Sequence, residues 1–161
     1  MGTLRGRVNR ESPEAILDGG RLLSRMATTT AAICNETDLT VQQYRMLLKI
    51  VDGPMRAGAL ARRSGLTRAT LSTIIRNLEQ RGFVTRAAVE EDARGVAIDL
   101  TAAGKAAVDA VDERMARLLV DLASETGVRK LLELLDLLRA PLDREATAYK
   151  QRNLERSTSP S

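Results

Sequence analysis

Apolar residues recur at steps of three and four along most of this chain, and the places where that step breaks divide it into elements. The clearest stretch runs from Leu66 to Gly82. Leu71, Ile74, Ile75 and Leu78 fall on one side of it, and Arg68, Ala69, Ser72, Thr73 and Arg76 on the other. Thr67 is placed to cap its first turn, and Gly82 to stop it in the left-handed conformation. Upstream, Ser12-Pro13 opens a helix to about Asn35, with Ile16, Leu23, Met26, Thr30 and Ile33 along one stripe at the spacing of helices lying side by side. Thr40-Val-Gln-Gln43 has the pattern of a capping box and starts a second helix to about Asp52, with Tyr44, Leu47, Leu48 and Val51 inward and Gly53-Pro54 as its stop. A short third helix, about Ala57 to Ser64, turns Leu60 and Ala61 inward and Arg62 and Arg63 outward, and Ser64-Gly65-Leu66 makes a tight turn.

After Gly82 the period shortens. Phe83 to Val89 and Val96 to Leu100 are short, rich in β-branched residues and separated by Glu90 to Gly95, which predicts a hairpin. From Thr101 the helical step returns, carrying Val108, Val111, Met115, Leu118 and Leu122 over residues 102 to 124. A last helix, about Val128 to Lys150, has Leu131, Leu132, Leu134, Leu135, Leu137, Leu138 and Leu142 on more than one face, with Pro141 predicting a kink or break. A chain of 161 residues has too little material to bury that much leucine on several sides, so a partner chain is expected. Residues 1–11, with Arg5, Arg7 and Arg10, read as a disordered basic tail, and 153–161, ending Ser-Thr-Ser-Pro-Ser, as a second disordered tail.

Composition narrows the chemistry. Hydrophobic residues at 43% and charged residues at 29% describe an ordinary globular chain, and aromatics at 2% leave the core to Leu, Ile, Val and Ala. The net charge is +4, but Arg56 to Arg86 holds seven arginines against one acid, Glu79, so the basicity is local. Cys34 is the only cysteine and there is no histidine, which excludes an internal disulfide, the common zinc-ligand sets, a Ser-His-Asp triad and a Cys-His pair. No phosphate-binding glycine loop occurs, and the carboxylates Glu90, Glu91 and Asp92 sit on an exposed hairpin tip. No enzyme, metal or cofactor is expected. No apolar run nears the ~20 residues that span a bilayer, and the start lacks the apolar core of a signal peptide, so no membrane partner and a cytoplasmic location are expected.

A short helix, a glycine turn, a longer helix bare of acid on its outer face and a hairpin are the parts of a winged helix-turn-helix. Arginine, threonine and serine on such a face suit base edges and phosphates of double-stranded DNA. The candidate contacts are Thr67, Arg68, Ala69, Thr70, Ser72, Thr73 and Arg76 on the long helix, with Arg62 and Arg63 before it and Arg86 after it. In the wing, Arg94 is placed to read the minor groove, and Asp92 is short enough to hold its guanidinium in one pose. Two other readings share parts of this pattern. A helical protein-interaction module would have the leucine-rich ends without needing the basic segment, and an architectural DNA binder would have the basic segment without sequence preference.

Three motifs in order, Leu78-Glu79-x-x-Gly82, Asp92-x-Arg94 and Leu100-Thr101-x-x-Gly104, resemble those of the multiple antibiotic resistance regulator (MarR) family of bacterial repressors. The resemblance covers about Leu39 to Gly104 by motif and the flanking helices by pattern. It implies a mostly α (α+β) fold, in which a winged helix-turn-helix DNA-binding domain, 39–101, sits between N- and C-terminal helices, 12–38 and 102–152, that form a dimerisation domain. It also implies a homodimer on a palindromic operator, with Arg68, Ala69, Thr70, Ser72 and Thr73 facing bases or phosphates and Arg94 the minor groove. Thr73 stands where relatives often carry arginine, and Glu90 and Glu91 make this wing tip unusually acidic. Many family members are released from DNA by small phenolic or aromatic acid effectors bound where the first, second and fifth helices meet the winged domain. Met26, Thr30, Cys34, Tyr44 and Arg45 correspond to that place, with Arg45 a carboxylate partner. One branch of the family senses peroxides through a cysteine. Cys34 reads instead as a buried, inert thiol, because nothing beside it in sequence would stabilise a thiolate.

Overall fold

The computed structural model describes residues 12–89, 92–123 and 127–158, with side chains described except at 87–89, 92–96, 149–150 and 153–158. The basic tail at 1–11 and the wing-tip pair Glu90 and Glu91 therefore lie outside the described residues. The order is α1 (Pro13–Glu36), α2 (Val41–Leu47), β1 (Met55–Arg56), α3 (Ala57–Ser64), α4 (Arg68–Gln80), β2 (Val84–Val89), β3 (Asp92–Leu100), α5 (Ala102–Leu122) and α6 (Val128–Thr158).

The helix starts follow local chemistry. The side chains of Ser12, Thr40, Thr67 and Thr101 accept from backbone N–H groups of Ala15, Gln43, Thr70 and Gly104, closing the first turns of α1, α2, α4 and α5. At Thr40 the box is complete, because Gln43 Oε1 accepts from the Thr40 N–H at 2.9 Å. The three strands form an antiparallel sheet in the order β1-β3-β2, with Val84 opposite Leu100 and Met55 opposite Ile98.

One core joins these pieces. Ile33 and Cys34 from the end of α1, Met46 and Leu47 from α2, Leu60 from α3, and Leu71, Ile74, Ile75 and Leu78 from α4 close around Ile98 of the sheet and Val108 and Val111 of α5. The longer helices contribute little beyond that. Leu23 on α1 is 64% exposed, and Leu137 and Leu142 on α6 are 73% and 62% exposed.

Four features depart from the sequence reading. Helix α2 stops at Leu47, and the chain tightens into turns in which Lys49 and Ile50 donate to the carbonyls three residues back, Met46 and Leu47. That rotation buries Ile50 and leaves Leu48 and Val51, expected inward, exposed. Strand β1 is two residues long, too short to show a period. Strand β3 begins at Asp92, so Arg94 lies on a strand rather than in the loop. Helix α6 continues through Pro141 without a break and on to Thr158, past Asn153 where the sequence reading set a disordered tail. Proline removes one N–H from a ladder that the flanking turns keep closed, and Leu154, Glu155 and Arg156 are good helix formers with no breaker before Pro160.

Candidate nucleic-acid interface

The outer face of α4 is set by what its inner face buries. Its inner residues, Leu71, Ile74, Ile75 and Leu78, are all buried, which fixes the helix's rotation about its axis and turns Arg68, Ala69, Ser72, Thr73 and Arg76 to solvent. The turn before it is set by Gly65, left-handed at φ 67°, whose N–H donates to the Ala61 carbonyl at 3.1 Å and ends α3. The turn after it is a two-bond glycine cap. The Phe83 N–H donates to Leu78 O at 2.9 Å and the Gly82 N–H to Glu79 O at 3.0 Å, with Gly82 at φ 72°. Stacked on this turn, the Arg81 guanidinium lies 4.6 Å from the centre of the Phe83 ring.

On the exposed face the polar groups differ in what they offer. Thr67 and Thr70 share a hydroxyl hydrogen bond at 2.9 Å, and the Thr73 hydroxyl donates to Ala69 O at 3.1 Å, leaving its lone pairs outward. Arg68 and Arg76 form no ion pair among the described residues, and no acid lies in the first turn. Thr67, Arg68, Ala69, Thr70, Ser72, Thr73 and Arg76 are thus brought together on one cationic surface.

The remaining candidates lie elsewhere. Arg86, on β2, is tied to Glu79 of α4 by an Nε–Oε2 pair at 3.1 Å, which offsets its charge locally. Arg62 and Arg63 line an open groove between the end of α2, the end of α3 and α6, together with Asp52 and Asp143, and Arg63 also donates to the Met55 sulfur at 3.9 Å. Asp92 and Arg94 are on β3, with their side chains outside the described ones.

The five residues matched to an effector site do not form one uniform surface. Cys34 is fully buried, and burial pushes its thiol up, away from thiolate. Met26 and Arg45 are exposed, and the Thr30 hydroxyl donates to Met26 O at 2.9 Å. Tyr44 is half-buried and its hydroxyl donates to Asp112 Oδ1 of α5. Burial first, then that hydrogen bond and the charges of Asp112 and Cys34, hold its phenol above the ordinary range.

Sequence reasoning missed the pairings that position α4. Gln43 Nε2 donates to Asn77 Oδ1 at 2.7 Å, linking α2 to α4, and Glu36 of α1 pairs with Arg114 of α5. Thr101 Oγ1 donates to Gly82 O at 2.6 Å, and a Cβ on Gly104 would stand 2.0 Å from Phe83 O, so α5 is seated directly against the end of α4. Two of the three sequence motifs meet at this junction. No spacing pattern announces contacts between residues so far apart in sequence.

A glycine-turned pair of helices, the second presenting an acid-free cationic face and followed by a hairpin, defines a winged helix-turn-helix protein. Comparison with known proteins shows what it is similar to. Residues 37–95 match the family model described as the MarR family. The regulator FarR of Neisseria gonorrhoeae is 28% identical over 131 residues, spanning 80% of this chain and 90% of that protein. The fold is shared with RV1404 of Mycobacterium tuberculosis, at a TM-score of 0.71 and 21% identity over 83% of this chain and 94% of that one. It is shared too with a mutant of MepR from Staphylococcus aureus bound to an oligodeoxyribonucleotide, at a TM-score of 0.60 and 22% identity over 83% of this chain and 99% of that one. Over its central part the chain is similar to MarR-family transcriptional regulators, and it shares the fold of solved MarR-type structures.

Proposed function

We propose that this protein is a cytoplasmic repressor that grips a palindromic operator as a homodimer, with one α4 from each subunit in successive major grooves. The observation that carries this reading is the outer face of α4, where Arg68 and Arg76 stand exposed and unpaired among the described residues beside Ser72 and Thr73. A guanidinium there is free to bond a guanine edge in two places, and the hydroxyls to reach bases or phosphates. Twofold pairing is supported by the leucines that α1 and α6 leave uncovered, since an exposed apolar surface of this extent marks an interface. Arg94 is assigned to the minor groove and Asp92 to its orientation. Thr67, Ala69 and Thr70 are assigned to the α4 face, and Arg62, Arg63 and Arg86 to flanking phosphates, with Arg86 the weakest of these because Glu79 already neutralises it.

The test is selection of duplexes from a random-sequence pool, followed by light scattering of the complex. The reading predicts an enriched inverted repeat carrying two chains per duplex. No enrichment, or one chain per duplex, would overturn it.

Release by an aromatic acid is proposed on Arg45, which is exposed and without an ion pair among the described residues, next to the half-buried Tyr44 and close in sequence to the α2 cap. Met26, Thr30 and Cys34 would supply apolar or packing contacts. Salicylate and benzoate are expected to raise the melting temperature of the protein and lower its DNA affinity, and Arg45→Ala to abolish both effects.

A further inference from the structure

The recognition helix is attached to α5 twice, by two routes that leave from different places. The first is direct. Thr101 Oγ1 holds Gly82 O at 2.6 Å, the Thr101 N–H donates to Phe83 O at 3.2 Å, and Gly104 has no side chain to keep the two backbones apart. This is a contact at a single point, just past the C-terminal end of α4. Along its length the buried Leu71, Ile74, Ile75 and Leu78 seat α4 in the core, so this junction anchors its C-terminal end.

The second route adds a polar tie that passes through α2. Asp112, further along α5, accepts from the Tyr44 hydroxyl on α2, and the neighbouring residue, Gln43, donates to Asn77 in the last turns of α4. Gln43 is itself held by the capping box, because its Oε1 accepts from Thr40 N–H while its Nε2 reaches Asn77. Helix α2 therefore acts as a strut between α5 and α4, and the closed circuit of Asp112, Tyr44, Gln43, Asn77, Gly82 and Thr101 adds directional polar ties to the core packing that holds their angle. Helix α5 is braced in turn against α1 through the Arg114–Glu36 pair, so the circuit ties α4 to the helices proposed to pair between subunits.

We infer that Tyr44 and Asp112 are positioning residues for DNA recognition, which set the angle of α4 against α5 and so the half-site spacing that the dimer accepts. The inference rests on the twofold DNA-binding reading above. It follows from the geometry because, in a dimer, the angle of each α4 to its own α5 sets the distance and rotation between the two recognition helices. Neither residue lies on the DNA-facing side of α4, so each would act only through that angle.

The experiment measures affinity for the duplex that the protein selects from a random pool, and for copies in which one base pair is added or removed between the half-sites. One base pair shifts a half-site by about 3.4 Å and a tenth of a turn. The intact protein is expected to discriminate among the three. Tyr44→Phe and Asp112→Ala are each expected to reduce that discrimination at least about threefold, the scale of one lost hydrogen bond. Asp112→Asn, which keeps a carbonyl acceptor for the phenol, is expected to retain it. Equal weakening at all three spacings would mean a merely structural role and overturn the inference, as would variants that discriminate like the intact protein, or an intact protein that binds its selected sequence with no preference for spacing. If the intact protein selects no duplex, the DNA-binding reading fails first and the inference falls with it.

Discussion

Two glycines in the motifs around α4 are glycine for different reasons, and substitution separates them. Gly82 has nothing within 4 Å of where a Cβ would stand, but its φ of 72° is left-handed. Gly82→Ala is therefore expected to cost about 1 kcal/mol of stability in urea unfolding, the strain of that conformation. At Gly104 the obstacle is space, since a Cβ would lie 2.0 Å from the Phe83 carbonyl oxygen, a backbone atom that cannot swing aside. Gly104→Ala is expected to cost about 3 kcal/mol or more. Equal losses at the two positions would contradict this account. Tyr44 gives a second residue-level test. Because burial and Asp112 favour its protonated form in the folded chain, the folded state keeps a proton that the unfolded state releases near pH ~10. The stabilisation is complete below that pH and is lost as the pH rises through the higher folded-state value. The free energy of unfolding should accordingly fall more steeply above pH ~10 in the intact protein than in Tyr44→Phe. Parallel curves would show that the phenol is not held as described.

Among the elements, the helices that run directly into a left-handed glycine are the ones whose ends are legible in the sequence. Helix α3 is bounded by Ala57 and Ser64 as read, since Gly65 ends it, and α4 by its Thr67 cap and Gly82. For α2 the apolar step continues through Leu48 and Val51 and predicts too long a helix, while the backbone tightens after Leu47 to bury Ile50. The exposed side of α4 is readable for the same reason that its core side is, a clean 3.6-residue period. The pairing of Arg86 is not, because its partner Glu79 sits across an element boundary and charge counting treats both as free. The α4–α5 junction was legible as motifs but not as contacts. It is tested by Thr101→Val, which removes both the cap on Gly104 N–H and the bond to Gly82 O. The expected cost is about 2 kcal/mol in thermal or urea unfolding. A neutral substitution would mean that α5 is not anchored there.

For the whole molecule, α1 and α6 carry large apolar residues that stay exposed among the described residues. Leu137 and Leu142 are 73% and 62% exposed, and a second subunit is the occupant that the twofold reading assigns to them. Leu137→Glu combined with Leu142→Glu is expected to halve the mass measured by light scattering while leaving the helical circular dichroism signal in place. Unchanged mass would remove α6 from the interface. The same substitutions should weaken DNA binding although neither residue lies on the α4 face, because two half-sites would then have to be bound one at a time.

The central claim is that the arginines of α4 carry the grip on duplex DNA. The most direct measurement is fluorescence anisotropy of the selected inverted-repeat duplex, titrated at a series of salt concentrations with the intact protein and with Arg68→Ala/Arg76→Ala. The account predicts that the double variant binds more than about tenfold more weakly at each salt concentration and that its affinity falls less steeply as salt rises. Superimposable curves for the two proteins would contradict it.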